Sequence, residues 1–223
     1  IEPEDFEFYK KINVPPPTFC PDCRLQRRMA FRNERNLYKR KCDFSGKNII
    51  SIYHPNSPYK VYDQKIWWSD KWDPMDYGRD YDFNESFFEQ FKKLTLRIPR
   101  VAVFSGNAVN SDYCNHAFDN KNCYLATAAM ENENVSYANR ITHCKDSLDL
   151  YIVDKGELCY DDLYCTNSYK LFFSNHCDAC IESMFLYDCR NCQHCFGCTN
   201  LRNKQYYIFN RPYSKEEYFK KLK

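Results

Sequence analysis

The chain of 223 residues is long enough for one large or two small domains. Its formal net charge of +2 favours no particular class of partner, and its 17% of aromatic residues argues against a disordered chain. No apolar run approaches the ~20 residues of a membrane span and no secretory signal opens the sequence, so we expect no membrane partner. The 14 cysteines indicate either disulfides of a secreted protein or metal ligands and buried thiols of a cytoplasmic one.

A metal-binding knuckle is predicted close to the N-terminus. Cys20 and Cys23 are two residues apart, the spacing at which a turn presents two thiolates to one Zn²⁺. Because a tetrahedral zinc site needs four ligands, Cys42 and His54 are added as candidates. The alternative is a surface histidine and a buried thiol without a metal.

Residues 24–41 form a basic stretch in which Glu34 is the one acid. The arginines that could contact phosphates are Arg24, Arg27, Arg28, Arg32, Arg35 and Arg40. The spacing of one helical face is shared by four of them: Arg24, Arg28, Arg32 and Arg35. Because a guanidinium forms paired hydrogen bonds with phosphate, the stretch predicts a surface for RNA or DNA. The alternative is a solvated face, or arginines that pair with the acids of residues 70–82.

Three motifs carry a resemblance to a known family. Residues 20–24 read Cys-Pro-Asp-Cys-Arg, residues 31–35 read Phe-Arg-Asn-Glu-Arg, and residues 67–74 begin Trp-Trp-Ser-Asp. In these motifs the chain resembles uncharacterised zinc-ribbon proteins of candidate-phylum bacteria. The resemblance implies a zinc ribbon with CxxC pairs before residue 1, at 42/45 and at 63/66, but it implies no activity. This chain departs from that pattern at three positions: Ser45, Asp63 and Ile66.

Residues 67–104 are expected to connect the N-terminal region to the rest of the chain. Tryptophans, tyrosines and aspartates alternate over residues 67–83, and such carboxylates could hold Ca²⁺ or act as an acid–base pair. No EF-hand spacing is present, so we predict a structural aromatic cluster. Asn84 is then expected to cap a helix over about residues 85–95.

A repeat begins near residue 105. All 11 cysteines beyond this point have numbers divisible by three. A longer period of twelve relates Cys165, Cys177 and Cys189, and the same column continues with small or apolar residues. Such a repeat predicts a right-handed parallel β-helix in which like residues stack along the axis. Twelve residues could be a full coil or half of a coil of ~24 residues.

A second column with the same period is bulky, running from Tyr124 to Ile208. It fits the interior of the wider coil, or it forms an exposed aromatic ladder through which copies of the chain could self-associate. The four histidines of the repeat, including His194, are predicted to lie in turns. Cys189, Cys192, Cys195 and Cys198 fit the cysteine lattice, and the alternative is a second metal site at these four thiols.

The predicted fold is mainly β: a zinc-ribbon-like α+β region (1–66), the connector (67–104), a cysteine-lined solenoid (105–212) and a C-terminal capping helix (213–223). The function favoured is non-enzymatic binding or scaffolding in the cytoplasm. One alternative is a carbohydrate-active β-helix enzyme that uses Asp149, Asp161 or Asp162. Another is a secreted, disulfide-stabilised solenoid.

Overall fold

A computed structural model describes residues 2–33 and 35–223. The chain divides into two compact units, residues 1–33 and residues 34–223. The two compact units meet at residue 33, and the predicted domain boundary at 66 stays a prediction. The segment after residue 34 supplies strands that hydrogen-bond within the second unit.

The first unit contains two helices, α1 (Pro3–Lys11) and α2 (Pro21–Met29). Each begins with proline, whose missing N–H costs nothing in the first turn of a helix. Neither helix has a buried residue, and the unit exposes large apolar side chains such as Phe31, which is 90% exposed. End capping therefore contributes more to these helices than core packing does.

The second unit opens with short elements that precede the solenoid. They are β1 (Tyr38–Lys41), β2 (Asn48–Ser51), β3 (Val61–Tyr62), α3 (Gln64–Trp67), a 3₁₀ turn (Pro74–Tyr77), α4 (Phe87–Arg97) and β4 (Arg100–Val101). Strands β1 and β2 form an antiparallel hairpin, and β3 pairs with β4 in parallel. The predicted aromatic cluster is present, since the ring of Trp72 contacts those of Tyr62, Trp67 and Tyr77.

The start of α4 differs from the prediction. Ser86 is the N-cap, because its hydroxyl accepts a hydrogen bond from the backbone N–H of Glu89. Asn84 instead belongs to a turn in which its own N–H donates to the Asp82 carboxylate at 2.8 Å. Both residue types cap helices well, so composition alone does not separate them.

The solenoid occupies the rest of the chain, in about nine coils. Its strands are β5 (Ser105–Gly106), β6 (Asn115–Phe118), β7 (Thr127–Met130), β8 (Glu133–Ser136), β9 (Asn139–Thr142), β10 (Lys145–Asp154), β11 (Tyr160–Leu163), β12 (Tyr169–Phe172), β13 (Ile181–Met184), β14 (Gln193–Phe196) and β15 (Gln205–Ile208). They pair in parallel with a register shift of twelve, as between Cys195 and Tyr207. Twelve residues are therefore one full coil. The right-handed sense of that coil stays a prediction.

The coil is four-sided because the backbone turns a corner at every third residue. From His116 to Phe209, every third residue has a positive φ, between 46° and 61°. The residue after each corner points inward, and from Ser111 to Cys198 every third residue is buried. The multiples of three in the cysteine numbering are these inward positions. The four histidines of the repeat are all corner residues, as predicted.

Corner side chains form hydrogen-bonded ladders along the coil axis. The amide of Asn122 donates to Asn134 at 3.0 Å, and that of Asn134 donates to Asp146 at 2.6 Å. Asparagine and aspartate tolerate the left-handed region better than other non-glycine residues. Asparagine and aspartate thus stabilise the corners in two ways, through their backbone preference and through the hydrogen bonds between their side chains.

The C-terminal end of the solenoid is covered. After a tight turn, β16 (Arg211–Pro212) pairs antiparallel with β15, and the predicted C-terminal helix follows as α5 (Lys215–Lys221), which begins with a Ser214–Glu217 capping box. Tyr218 of α5 is buried and its ring packs against that of Tyr206, so β16 and α5 together cover this end of the solenoid. No helix among the described residues is long and apolar enough to cross a membrane.

The corner geometry predicts a position-specific cost for a β-branched residue. Asn134→Val should lower the free energy of unfolding by about 2 kcal/mol, because valine is strained at positive φ and breaks two ladder hydrogen bonds. Ser136→Val is the matched control, two residues away at an outward strand position. It should change the free energy of unfolding by less than about 0.5 kcal/mol. Equal effects of the two substitutions in urea denaturation would contradict the corner assignment.

Candidate functional site

The Cys20–Cys23 knuckle lies at the start of α2. Cys20 is the N-cap, and its Sγ accepts a hydrogen bond from the backbone N–H of Cys23 at 3.4 Å. Hydrogen bonds from the backbone and the thiol of Cys23 lower the pKa of Cys20. Both thiols are exposed. The pair therefore presents two of the four ligands that a zinc site needs.

Cys42 lies in the second unit and is buried. Its Sγ accepts backbone hydrogen bonds from Ser45 at 3.5 Å and from Asp63 at 3.2 Å. Burial opposes ionisation of the thiol, but hydrogen bonds from Ser45, Asp63 and Phe44 outweigh it and lower the pKa of Cys42. Cys42 is thus in contact with Ser45 and Asp63, two positions at which the zinc-ribbon pattern has cysteine and this chain has no thiol.

His54 is at the other end of the β1–β2 hairpin from Cys42. Its ring packs against Tyr38 at 5.2 Å, and its Nδ1 accepts the backbone N–H of Asn56 at 3.1 Å. Tyr38 precedes Cys42 by four residues, or about 13 Å of extended strand. The structure therefore does not bring Cys42 and His54 together, and the predicted four-ligand set stays a prediction.

Across residues 2–33 and 35–223, no group of three or more His, Cys, Asp or Glu side chains is arranged to hold a metal ion. Zinc binding at the exposed Cys20–Cys23 pair stays a prediction, because two further ligands would have to come from elsewhere.

The basic stretch is not one helical face. Helix α2 ends at Met29, so the prediction is wrong for Arg32 and Arg35, which lie beyond its end. Within the helix, a guanidinium nitrogen of Arg24 donates to the hydroxyl of Tyr9 at 3.4 Å, and Arg27 lies over the ring of Phe19 at 6.0 Å. Two arginines in the last helical turn, Arg27 and Arg28, are exposed.

Arg40 serves the fold of the hairpin region. Its guanidinium donates to the Asp43 carboxylate at 2.9 Å, to the Ser57 hydroxyl at 3.2 Å and to backbone carbonyls of His54 and Tyr59. The side chain is 7% exposed. Its donors are directed at these partners, so Arg40 is poorly placed for a phosphate.

The four cysteines of the suggested second metal site occupy the four inward positions of one coil. They are Cys189, Cys192, Cys195 and Cys198, and all are buried. The Sγ of Cys189 contacts the carbonyl oxygens of Tyr187 at 3.5 Å and of Cys198 at 3.6 Å. The same contacts with carbonyls two residues before and nine residues after recur at cysteines of other coils, such as Cys144. The contacts therefore belong to the repeat rather than to one special coil.

The thiols of this coil and the Cys180 thiol of the coil before it influence one another's ionisation. The thiols of Cys180, Cys189 and Cys195 lower the pKa of Cys192. The pKa of Cys180 is raised first by Cys177 and then by Cys192, and those of Cys189 and Cys195 are raised by Cys192. His194 is a corner residue that stacks on Tyr206 at 5.2 Å, so it points away from these thiols. A metal bound by the four thiols stays a prediction, and His194 is not placed to be a further ligand.

A groove that the sequence analysis missed runs along one side of the solenoid. It has a volume of about 460 Å³ and is lined by Arg35, Leu37, Tyr113, Leu125, Thr127, Tyr137, Ala138, Asn139, Asp149, Leu150 and Tyr151. Its size and its mainly apolar lining with a few polar groups are typical of ligand sites. The signal was the spacing of 24 between Tyr113 and Tyr137, but it has meaning only once the coil is known to be twelve residues.

Asp162 is an ionisable group inside the solenoid. Its carboxyl is buried, with Oδ1 accepting the backbone N–H of Ser174 at 2.9 Å and Oδ2 lacking a protein partner. Burial raises the pKa of Asp162 to about 8, although hydrogen bonds from Ser174 and Cys159 oppose the shift. The acid is therefore largely protonated at neutral pH and faces the core, not a substrate.

Comparisons with known proteins assign no family. No family model matches the sequence. No curated protein shows significant similarity to it.

The buried carboxyl predicts a loss of stability with rising pH. Between about pH 4 and pH 8, folded Asp162 holds a proton that the unfolded chain has released, so the folded state is disfavoured as pH rises. For this one group the free energy of unfolding should fall by up to about 1.4 kcal/mol per pH unit. Asp162→Asn should flatten this slope, and its exposed neighbour variant Asp161→Asn should not. Parallel slopes for all three proteins in chemical denaturation would refute the assignment.

The position of the thiols predicts a two-step alkylation pattern. All 14 cysteines are thiols, and two of them, Cys20 and Cys23, are exposed. Iodoacetamide should modify these two in the folded protein, and the other twelve only after unfolding without a reductant. Intact mass measurement counts the adducts. Three or more pairs that resist alkylation after unfolding would indicate disulfides and the secreted alternative.

Proposed function

We propose that the chain is a non-enzymatic binding protein whose α2 helix contacts the backbone of RNA or DNA. The observation that supports the proposal is the exposed pair Arg27 and Arg28 on a helix without a buried residue. Residues 21–33 contain four arginines and one acid, Asp22, so the local charge is strongly positive. Guanidinium groups placed in this way suit phosphate oxygens.

Exposed apolar side chains lie close to these arginines in the sequence. Phe31 follows the helix and is 90% exposed, and Leu25 and Met29 are exposed on the helix itself. Stacking of a nucleic-acid base on an exposed aromatic ring is energetically favourable. Such stacking accompanies backbone contacts in complexes with single strands. The combination favours binding with little sequence preference, because no base-reading motif is present.

The solenoid contributes little to this interaction. Residues 105–200 contain thirteen acids and six lysines or arginines. A polyanion is repelled by such a surface, so contact with nucleic acid would be confined to the basic helix. The placement of Arg40 supports the same restriction, since its guanidinium is engaged within the second unit.

Binding is favoured over catalysis by the positions of three carboxylates. A glycosidase places two carboxyl groups at its substrate. Asp162 faces the interior, and Asp149 is the one carboxylate among the described residues that line the groove. Asp161 is an outward corner residue that does not line it. The carbohydrate-active enzyme therefore has weaker support than a binding protein.

Self-association through the aromatic ladder is limited by area. The column from Tyr124 to Ile208 lies on the outside of the coil, with Tyr124, Leu148 and Tyr160 exposed. Eight rungs spaced about 4.8 Å apart and a side about 10 Å wide give about 350 Å² per copy. A stable interface buries about 800 Å² per partner. This face alone would support only weak association between copies.

The nucleic-acid proposal predicts a steep dependence of affinity on salt. Arg27→Gln combined with Arg28→Gln should weaken binding to a single-stranded oligonucleotide and reduce the slope of log K against log salt by up to about 1.4, since each phosphate contact contributes about 0.7. Fluorescence anisotropy at several salt concentrations measures the slope.

The charge-matched control is Lys220→Gln combined with Lys221→Gln, which removes two cations from the last turn of α5. It should leave the slope unchanged, and circular dichroism should show that both double variants retain their structure. If the unmodified protein ignores RNA and DNA at low salt, the proposal is wrong. An equal loss of affinity in the two double variants would mean that binding depends on net charge and not on α2.

A further inference from the structure

We propose that the groove on the solenoid binds a linear, uncharged oligosaccharide. The groove follows the coil axis between two columns of residues, one largely exposed and one largely buried. One wall contains Tyr113, Leu125, Tyr137 and Asp149, and the other contains Thr127, Asn139 and Tyr151. The inward-facing Ala138 and Leu150 lie below it, and Arg35 and Leu37 border it from the segment before β1. The site belongs to the second unit and is independent of α2.

The tyrosines of the first wall are held in place before any ligand binds. Tyr124 packs edge to face on Tyr113 at 5.3 Å and on Tyr137 at 5.7 Å. Tyr137 is still 55% exposed, so its ring offers an open surface that has little freedom to move. A fixed aromatic ring costs less conformational entropy on binding than a mobile one.

The spacing of these rings favours a chain ligand. Tyr113 and Tyr137 are two rungs apart, which is about 10 Å along the coil axis. That distance is close to the length of a disaccharide unit in an extended glycan. Because a pyranose ring carries C–H groups on its faces, alternate sugars of one chain could pack on the two tyrosines.

Hydrogen bonds also fix the polar side chains of the groove. The Arg35 guanidinium donates to the Oδ1 of Asn139 at 3.0 Å and lies 5.9 Å from the ring centre of Tyr151. Asn139 in turn donates to the hydroxyl of Thr127. Asp149 is exposed at a corner beside them and offers carboxylate oxygens. Sugar hydroxyls both donate and accept, so they can use Asp149 and Arg35 together.

The charge of the groove selects against an ionic ligand. Its lining carries one cation, Arg35, and one anion, Asp149. The acidic excess of residues 105–200 disfavours a nucleic-acid strand, although bases could also stack on tyrosine. A neutral ligand with flat apolar faces and many hydroxyls satisfies both the aromatic and the polar features, and an oligosaccharide has this composition.

The experiment uses isothermal titration calorimetry of the full chain with cellohexaose, xylohexaose, mannohexaose and chitohexaose. At least one should bind, and Tyr137→Ala should weaken its binding about tenfold or more, as expected for an anchoring aromatic residue. Asp149→Asn should weaken binding by about tenfold through loss of a charged acceptor. The matched control is Tyr187→Ala, since Tyr187 is also 55% exposed but lies outside the groove. It should leave the affinity within about twofold.

Two results would overturn the proposal. One is the absence of binding to all four glycans, and the other is an equal loss of affinity in Tyr137→Ala and Tyr187→Ala. Displacement of a bound glycan by oligouridylate would also count against it, because the groove would then accept a polyanion. Thermal unfolding verifies that each variant is folded. The Arg27→Gln, Arg28→Gln double variant should bind the glycan normally, so failure of the nucleic-acid proposal and failure of this one are separable.

Discussion

A left-handed backbone corner at every third residue is the constraint on which the solenoid depends. Outside glycine this conformation costs roughly 1–2 kcal/mol per residue. The conformation is most costly for bulky corner residues such as Leu125, Ile152 and Phe173. The cost is offset by hydrogen bonds between successive coils and by stacked corner side chains, such as the rings of Phe173 and Phe185 at 4.9 Å. No single coil could adopt the conformation alone, which is why stability requires the stack.

The corners also determine what the interior contains. A side of three residues leaves one inward position, and four sides leave a narrow core with four side chains per coil. Cysteine suits such a core, because it is small and its thiol can contact the main-chain carbonyls that border the interior. Cys165 shows the pattern, with carbonyl contacts at Leu163 (3.4 Å) and Ser174 (3.7 Å). The abundance of cysteine is thus explained by packing before any metal is invoked.

Much of the solenoid could be predicted from the sequence, because its two periods are direct consequences of the geometry. The period of three places Cys177 and its relatives inside, and the period of twelve gives the coil. What the sequence left open was whether twelve residues are a full coil, since the bulky column from Tyr124 onward resembles a core. The prediction of one arginine face was wrong for a local reason: no glycine or proline directly follows Met29, so the sequence lacks the strongest signals for the end of α2. The groove depends on the coil size and could not be found without it.

The two proposed binding surfaces differ in how they are built, and the difference follows from the fold. On the solenoid, the rung spacing fixes outward side chains at regular intervals, and rings such as Tyr113 and Tyr137 are braced by a third ring between them. Such a surface suits a ligand that itself repeats, because each new unit meets a similar set of contacts. The first unit has no buried helical residue and offers charge rather than shape. Charge attracts a polyanion without requiring a fixed register, whereas a braced groove can discriminate among neutral ligands by fit.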